Sequence, residues 1–178
     1  MKIIPVNHKA DVLIGDYLFA DKVKSEVLSL LKTSTPIPKT DTHVQAFHTE
    51  WEWQPDNKIL GNLKSYVIAE IERYFKPGGM SDGGRVSLKV GNFWANEYYK
   101  GDYATSHCHK PYDYSFAYFV KAKWYYSPFI FSSSGKRIRP KEGRFVAFPS
   151  FLFHHVPKHR YRDTRVTLSS NLKIDLQL

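Results

Sequence analysis

The stretch from Gly101 to Phe116, GDYATSHCHKPYDYSF, places the chain's single cysteine between two histidines, His107 and His109. Three metal-binding side chains thus stand in a row. In extended backbone, residues two apart face the same side, so His107 and His109 present neighbouring imidazoles while Cys108 turns away. Two imidazoles make half of a metal centre, and a third donor has to arrive from a remote part of the chain. The segment GRFVAFPSFLFHHVPKHR offers His154 and His155 after a strand-like run that closes at Pro149. Adjacent strand residues face opposite ways, so at most one of these two can join the pair. Asp113, in KPYD after His109, is a carboxylate alternative for completing the set. A ligand imidazole must be neutral, so metal retention is expected to fall as the pH drops below about 6.5.

These side chains need a rigid scaffold, and the flanking sequence describes one. From Arg85 onward, RVSLKVGNFWANEYY, YSFAYFVK, SPFIFSS, GRFVAFPS and TRVTLSSNLKI are short β-branched and aromatic runs divided by Gly, Pro and Ser clusters. That rhythm predicts successive antiparallel strands in a sandwich or barrel. Upstream, FADKVKSEVLSLLKT sets Val23, Val27, Leu30 and Leu31 on one helical stripe. A second helix is expected over PDNKILGNLKSYVIAEIERYF, with Leu60, Leu63, Val67, Ile71 and Phe75 inward. Asp56 is its expected cap, and KPGG after Phe75 its stop. Between the helices, STPIPKTDTHVQAFHTEWEW holds turn residues and then an edge strand. The prediction is one domain over residues 1–178, with a helical part at 1–80 and a jelly-roll core at 85–178. Its class is α+β or all-β, with the helices packed on one sheet.

A chain of 178 residues can bury a core without cross-links, and a single cysteine excludes an internal disulfide. The opening MKIIPVNHKADVLIGDYLF lacks the apolar run of a signal peptide, and no stretch approaches membrane-spanning length. A soluble, cytoplasmic protein with no membrane partner is expected. The balance of 26 Lys+Arg against 17 Asp+Glu gives a net charge of +9, which favours acidic partners, nucleic acid among them. Two segments concentrate that charge: KHRYRDTR, Lys158 to Arg165, and SGKRIRPK, Ser134 to Lys141. Basic residues interleaved with an aromatic such as Tyr161 can follow phosphates and stack bases. Trp94, Tyr118 and Phe129 are candidate walls of a dry site.

Taken in order, NEYYKGDYATSHCH, SPFIF, IRPKEGRFVAFPSFLFHHV and TRVTLSSN resemble the Fe(II)- and 2-oxoglutarate-dependent oxygenases. The likeness runs from Phe93 to Asn171 and is strongest in FPS, followed by His154 and then by Arg165. It looks closest to a small branch, frequent in phages and marine bacteria, that carries His-x-His where the superfamily usually has His-x-Asp. The resemblance implies a double-stranded β-helix, with iron(II), dioxygen and 2-oxoglutarate as its cofactor and co-substrates. It makes His107 the first ligand, puts His109 in the carboxylate position and makes His154 the distal ligand. It assigns Arg165 to the far carboxylate of 2-oxoglutarate, with Thr167 assisting, and Tyr98 and Asn96 to co-substrate binding. The implied activity is decarboxylation of 2-oxoglutarate to succinate, coupled to hydroxylation or demethylation of an unidentified substrate. That substrate is a protein side chain, a nucleic acid or a small molecule; for a phage-encoded enzyme the setting is the host cytoplasm. His109 in place of Asp removes a negative charge, and a neutral three-histidine set also suits catalytic zinc.

Two other readings compete. Gly101, His107, His109, Gly143, Pro149 and His154 follow much of the cupin spacing, which shares the jelly roll and the iron but not the keto acid. It calls for a glutamate soon after His109, where the sequence has Asp113, and gives Arg165 no task. The other is a non-catalytic basic jelly roll that binds nucleic acid. Steep loss of affinity with salt and no metal retention would mark it.

Overall fold

The computed structural model describes residues 10–37, 43–75 and 86–176. Along the chain come β1 (Leu13–Asp16), α1 (Ala20–Thr33), β2 (Val44–Gln45), β3 (Phe47–His48), α2 (Lys58–Phe75), β4 (Val86–Tyr98) and β5 (Tyr103–His107). Then follow β6 (Tyr114–Lys121), β7 (Phe129–Phe131), β8 (Arg137–Ile138), β9 (Arg144–Pro149), β10 (His154–Val156) and β11 (Arg165–Leu176). The strands form two antiparallel sheets, ordered β1-β9-β6-β11-β4-β3 and β2-β5-β10-β7-β8. This is the expected double-stranded β-helix, with both helices on the outer face of the larger sheet.

Strand β6 shows why the layers stack this way. Its residues Ser115 to Val120 are all buried. Phe116, Tyr118 and Val120 pack with Val23 and Val27 of α1 and Leu60, Leu63, Val67 and Ile71 of α2. Ala117 and Phe119 face the other way, into a second core with Phe129, Phe148 and Val156 between the sheets. A strand covered on both faces reads as a continuous apolar run and not as an alternation. Tyr118 therefore belongs to the helix-facing core, and the expectation that it walls the site is corrected.

The start of α2 corrects another expectation. Asn57 Oδ1, not Asp56, accepts from the amides of Ile59 and Leu60, at 2.9 and 3.1 Å. Asn57 directly precedes the first helical residue, which is where a cap reaches those amides. The KPGG stop signal lies outside the described residues.

The segment before β4 is more than helical. β1 extends the larger sheet beside β9, and the single expected edge strand is two short ones, split at the buried Ala46. β2 pairs with β5 and β3 with β4, so each sheet receives one of them as an edge. At the turn before β9, Gly143 has φ +82°, and a Cβ there would lie 2.7 Å from Ala20 Cβ. Glycine lets this turn close against the start of α1. Among the described residues no helix is long and apolar enough to cross a membrane.

Candidate functional site

β5 ends on His107 and β10 begins on His154, and the two stand opposite each other in the ladder. His109 lies two residues past the end of β5, where its amide donates to Ser150 O at 2.8 Å. The ligand-capable nitrogens of His107, His109 and His154 all lie within 4.8 Å of one another. The two histidines of His-x-His therefore do not share one strand, as the alternation argument had them. A strand end and the turn after β9 bring them together. Cys108 stands outside the cluster. His155 faces elsewhere, its Nδ1 2.9 Å from Ser132 Oγ. Asp113 is occupied too: its Oδ2 accepts from Ile174 N at 2.7 Å, so the carboxylate alternative for the cluster falls away.

Local bonds fix which nitrogens face inward. His107 Nδ1 donates to Thr105 O at 2.8 Å, and His154 Nδ1 donates to Leu152 O at 3.0 Å. A carbonyl only accepts, so both Nδ1 atoms carry the proton and both Nε2 atoms keep a free lone pair. His109 Nε2 approaches His154 Nε2 to 3.2 Å. Burial lowers the pKa of all three imidazoles, reinforced by His43 at His107, by His107 at His109, and by His107 and His109 at His154. That of His109 falls to about 3, while His154 is held well below the usual histidine range. At neutral pH the cluster is therefore uncharged, the form that binds metal.

Arg165, the first residue of β11, lines the same cavity as the three histidines. It is 1% exposed, and its Nε and Nη1 find no hydrogen-bond partner among the described residues. The Tyr98 and Phe119 rings flank the guanidinium at 5.0 and 5.4 Å. Burial pushes its pKa down, yet a guanidinium stays charged in a protein. A buried cation is costly unless paired, and among the described residues no carboxylate pairs with this one. Beside it, Tyr98 stands across the β4–β11 ladder from Arg165, and Asn96 across from Thr167. Asn96 Oδ1 accepts from Trp94 Nε1 at 3.2 Å, while its Nδ2 donates to Ser169 Oγ at 3.3 Å and Thr167 Oγ1 at 3.5 Å. The seven residues that the resemblance assigned to iron and co-substrate thus line one cavity, with Trp94 and Phe129 among its apolar walls.

Sequence reasoning missed the mouth of this site. An adjoining cleft of about 390 Å³ shares Trp94, His107 and His109 with it and adds His43, Trp51, Glu52, Asn92 and Cys108. The ring of His43 lies parallel to that of His107 at 5.6 Å. Trp51 stacks on His48 at 4.3 Å and meets Trp94 edge-on at 5.1 Å. The available signal was HTEWEW, whose tryptophans and glutamates are unusual for a plain connection.

No protein-family model matches the sequence, and no curated protein matches it. Solved structures do match in fold. The viral collagen prolyl hydroxylase of Paramecium Bursaria Chlorella virus-1, in its 2-oxoglutarate complex, superimposes with a TM-score of 0.68 at 11% identity, covering 90% of this chain and 94% of that one. A Pseudomonas putida prolyl-4-hydroxylase gives 0.65 at 15% identity, covering 91% of each chain. The α-ketoglutarate-dependent epimerase SnoN of nogalamycin biosynthesis gives 0.71 at 8% identity, covering 91% of this chain and 76% of that one. The chain has the fold of the iron(II)- and 2-oxoglutarate-dependent oxygenases.

Proposed function

We propose that this protein is an iron(II)- and 2-oxoglutarate-dependent dioxygenase that oxidises a C–H bond of its substrate. The observation that carries the reading is Arg165, a buried cation with Nε and Nη1 unpaired among the described residues, in the same cavity as three convergent neutral imidazoles. In this assignment His107, His109 and His154 hold the metal through Nε2, and the carbonyls of Thr105 and Leu152 keep two of the rings in the required tautomer. The planar fork of Arg165 receives the far carboxylate of the keto acid. The Thr167 and Tyr98 hydroxyls complete that end, and Asn96 holds Thr167 in place.

Bound iron, with the keto acid and dioxygen, supplies the oxidising power. The chain's own part is to bind, orient and keep water out. Trp94, Phe129, Phe148 and Val156 line the cavity with apolar surface, which strengthens the pairing of Arg165 with a carboxylate. With His109 in place of an aspartate, the site lacks one negative charge, and the dianionic keto acid supplies the compensation. The cleft walled by Trp51, Trp94 and His43 admits the substrate next to the metal ligands. Hydroxylation and demethylation share this arrangement, since both begin at a C–H bond.

The test is succinate formation from 2-oxoglutarate by the iron-loaded protein, first without air and then with it. The expected result is succinate that appears only after air is admitted, even with no substrate added. Iron retention without any succinate, or oxygen uptake indifferent to 2-oxoglutarate, overturns the assignment. The second outcome would favour the cupin reading, which gives Arg165 no counter-ion.

A further inference from the structure

A surface made by loops 122–128 and 157–164 is not used by the oxidation site. It is held firmly from beneath. Asp163 Oδ2 accepts from the hydroxyl of the buried Tyr126 at 3.3 Å and from Lys123 Nζ at 2.6 Å. Ser127 Oγ donates to Lys158 O at 2.9 Å, tying one loop to the other. The buried His159 donates from Nε2 to Asp163 O at 2.7 Å, and its backbone is bonded to Gly101 and Asp102.

Above these anchors three rings face solvent: Trp124 at 70%, Tyr125 at 40% and Tyr161 at 38% exposure. Trp124 and Tyr125 lie 5.6 Å apart, and Tyr125 and Tyr161 lie 4.9 Å apart, so the rings form one patch. A tryptophan this exposed adds little to the fold, and an aromatic patch on a rigid base is the mark of a contact surface. Lys158, Arg160 and Arg162 stand exposed on the same loop as Tyr161. Asp163 is the acid in these two loops, and Lys123 takes its charge at 2.6 Å. Lys158 Nζ sits 5.7 Å from the Tyr103 ring, and Arg160 and Arg162 have no ion pair among the described residues, which leaves them open to an external anion.

We propose that this surface binds single-stranded nucleic acid. Unpaired bases stack on Trp124, Tyr125 and Tyr161, while Lys158, Arg160 and Arg162 follow the phosphates. Single strands fit better than a duplex, whose bases are already stacked, and better than an acidic peptide, which offers carboxylates without flat faces. The binding requires neither iron nor keto acid, so it stands or falls separately from the oxygenase assignment.

The experiment is fluorescence anisotropy of labelled oligo-dT and oligo-U, about twenty nucleotides long, with metal-free full-length protein. Removing the rings with Trp124→Ala and Tyr161→Ala together should weaken binding at least about tenfold. Arg160→Ala with Arg162→Ala should weaken it and reduce the salt slope by about 1.4 between about 50 and 200 mM salt. Lys89→Ala with Lys173→Ala, paired near the far end of β4 and β11, should leave affinity within about twofold, as expected of charges remote from the phosphate path. All these side chains are exposed, so the far-ultraviolet circular dichroism should be unchanged. Absent binding by the wild type overturns the proposal, as does full affinity without the rings or an equal loss in the control pair. Displacement of the oligonucleotide by phosphatidylserine vesicles or polyglutamate at matched charge also overturns it, giving the patch to a lipid surface or an acidic protein.

Discussion

Replacing Arg165 by methionine should make the metal-free protein more stable while destroying its response to the keto acid. Methionine keeps most of the stem and removes the Nε and Nη1 groups, which have no partner among the described residues. Each unsatisfied buried donor costs about 1–3 kcal/mol. Against this, the ring contacts to Tyr98 and Phe119 at 5.0 and 5.4 Å are lost, about 0.5–2 kcal/mol each. The balance is a gain of about 1–2 kcal/mol for Arg165→Met. In urea this moves the midpoint up by about 0.5–1 M at an unchanged slope. With iron under anaerobic conditions and 2-oxoglutarate at about a hundred times its Kd, the wild type gains about 2.7 kcal/mol and the variant gains nothing. The order of stabilities then reverses. A less stable metal-free Arg165→Met protein would show that the guanidinium is a structural element, and equal stabilisation of both proteins by 2-oxoglutarate would remove its anchoring role.

Three further outcomes are expected. His107→Ala and His154→Ala should each abolish iron retention with the fold intact, and His109→Asp should retain or tighten it; metal analysis after desalting decides. The metal-free protein should lose stability in acid: His109 titrates near 3 when folded and about 6.5 when unfolded, so the unfolded chain holds the extra proton between these values. Its contribution is complete above about pH 6.5 and declines by about 1.4 kcal/mol per unit below that, so His109→Gln should flatten the profile by that slope in urea titrations at successive pH values. Gly143→Ala should cost about 1–3 kcal/mol, because φ is +82° and the new methyl would meet Ala20; an unchanged urea midpoint would contradict this.

Much of this site was legible because its parts sit in strong local patterns. The apolar run of β6 and the helical stripes of α1 and α2 follow from burial on defined faces, and those faces fix the layers. Arg165 and Thr167 were legible as a same-face pair because β11 is a long, regular strand. What failed was legibility at element ends. His109 lies just beyond β5, where alternation no longer orients a side chain, and its position depends on a bond to Ser150 O in a remote turn. Asn57 and Asp56 are both good caps, and only the first helical residue distinguishes them. Trp51 and His43 reach the cleft through short edge strands whose pairing no local periodicity encodes. Tyr125, with Trp124 against it, meets Tyr161 only after two loops separated by about thirty residues fold together, a juxtaposition invisible to a window of sequence.

The two ends of the proposed keto-acid site belong to different sheets. Arg165, Thr167, Asn96 and Tyr98 stand on the larger one, His107 and His154 on the smaller. The gap between anchor and metal is accordingly a caliper whose jaws are the sheets, spaced by the filler residues Ala117, Phe119 and Phe148. Facing sheets lie about 10 Å apart, so thinning that filler with Phe148→Leu should narrow the caliper and shift preference from five-carbon toward four-carbon keto diacids. A preference that stays put in competition binding would mean the gauge is set elsewhere.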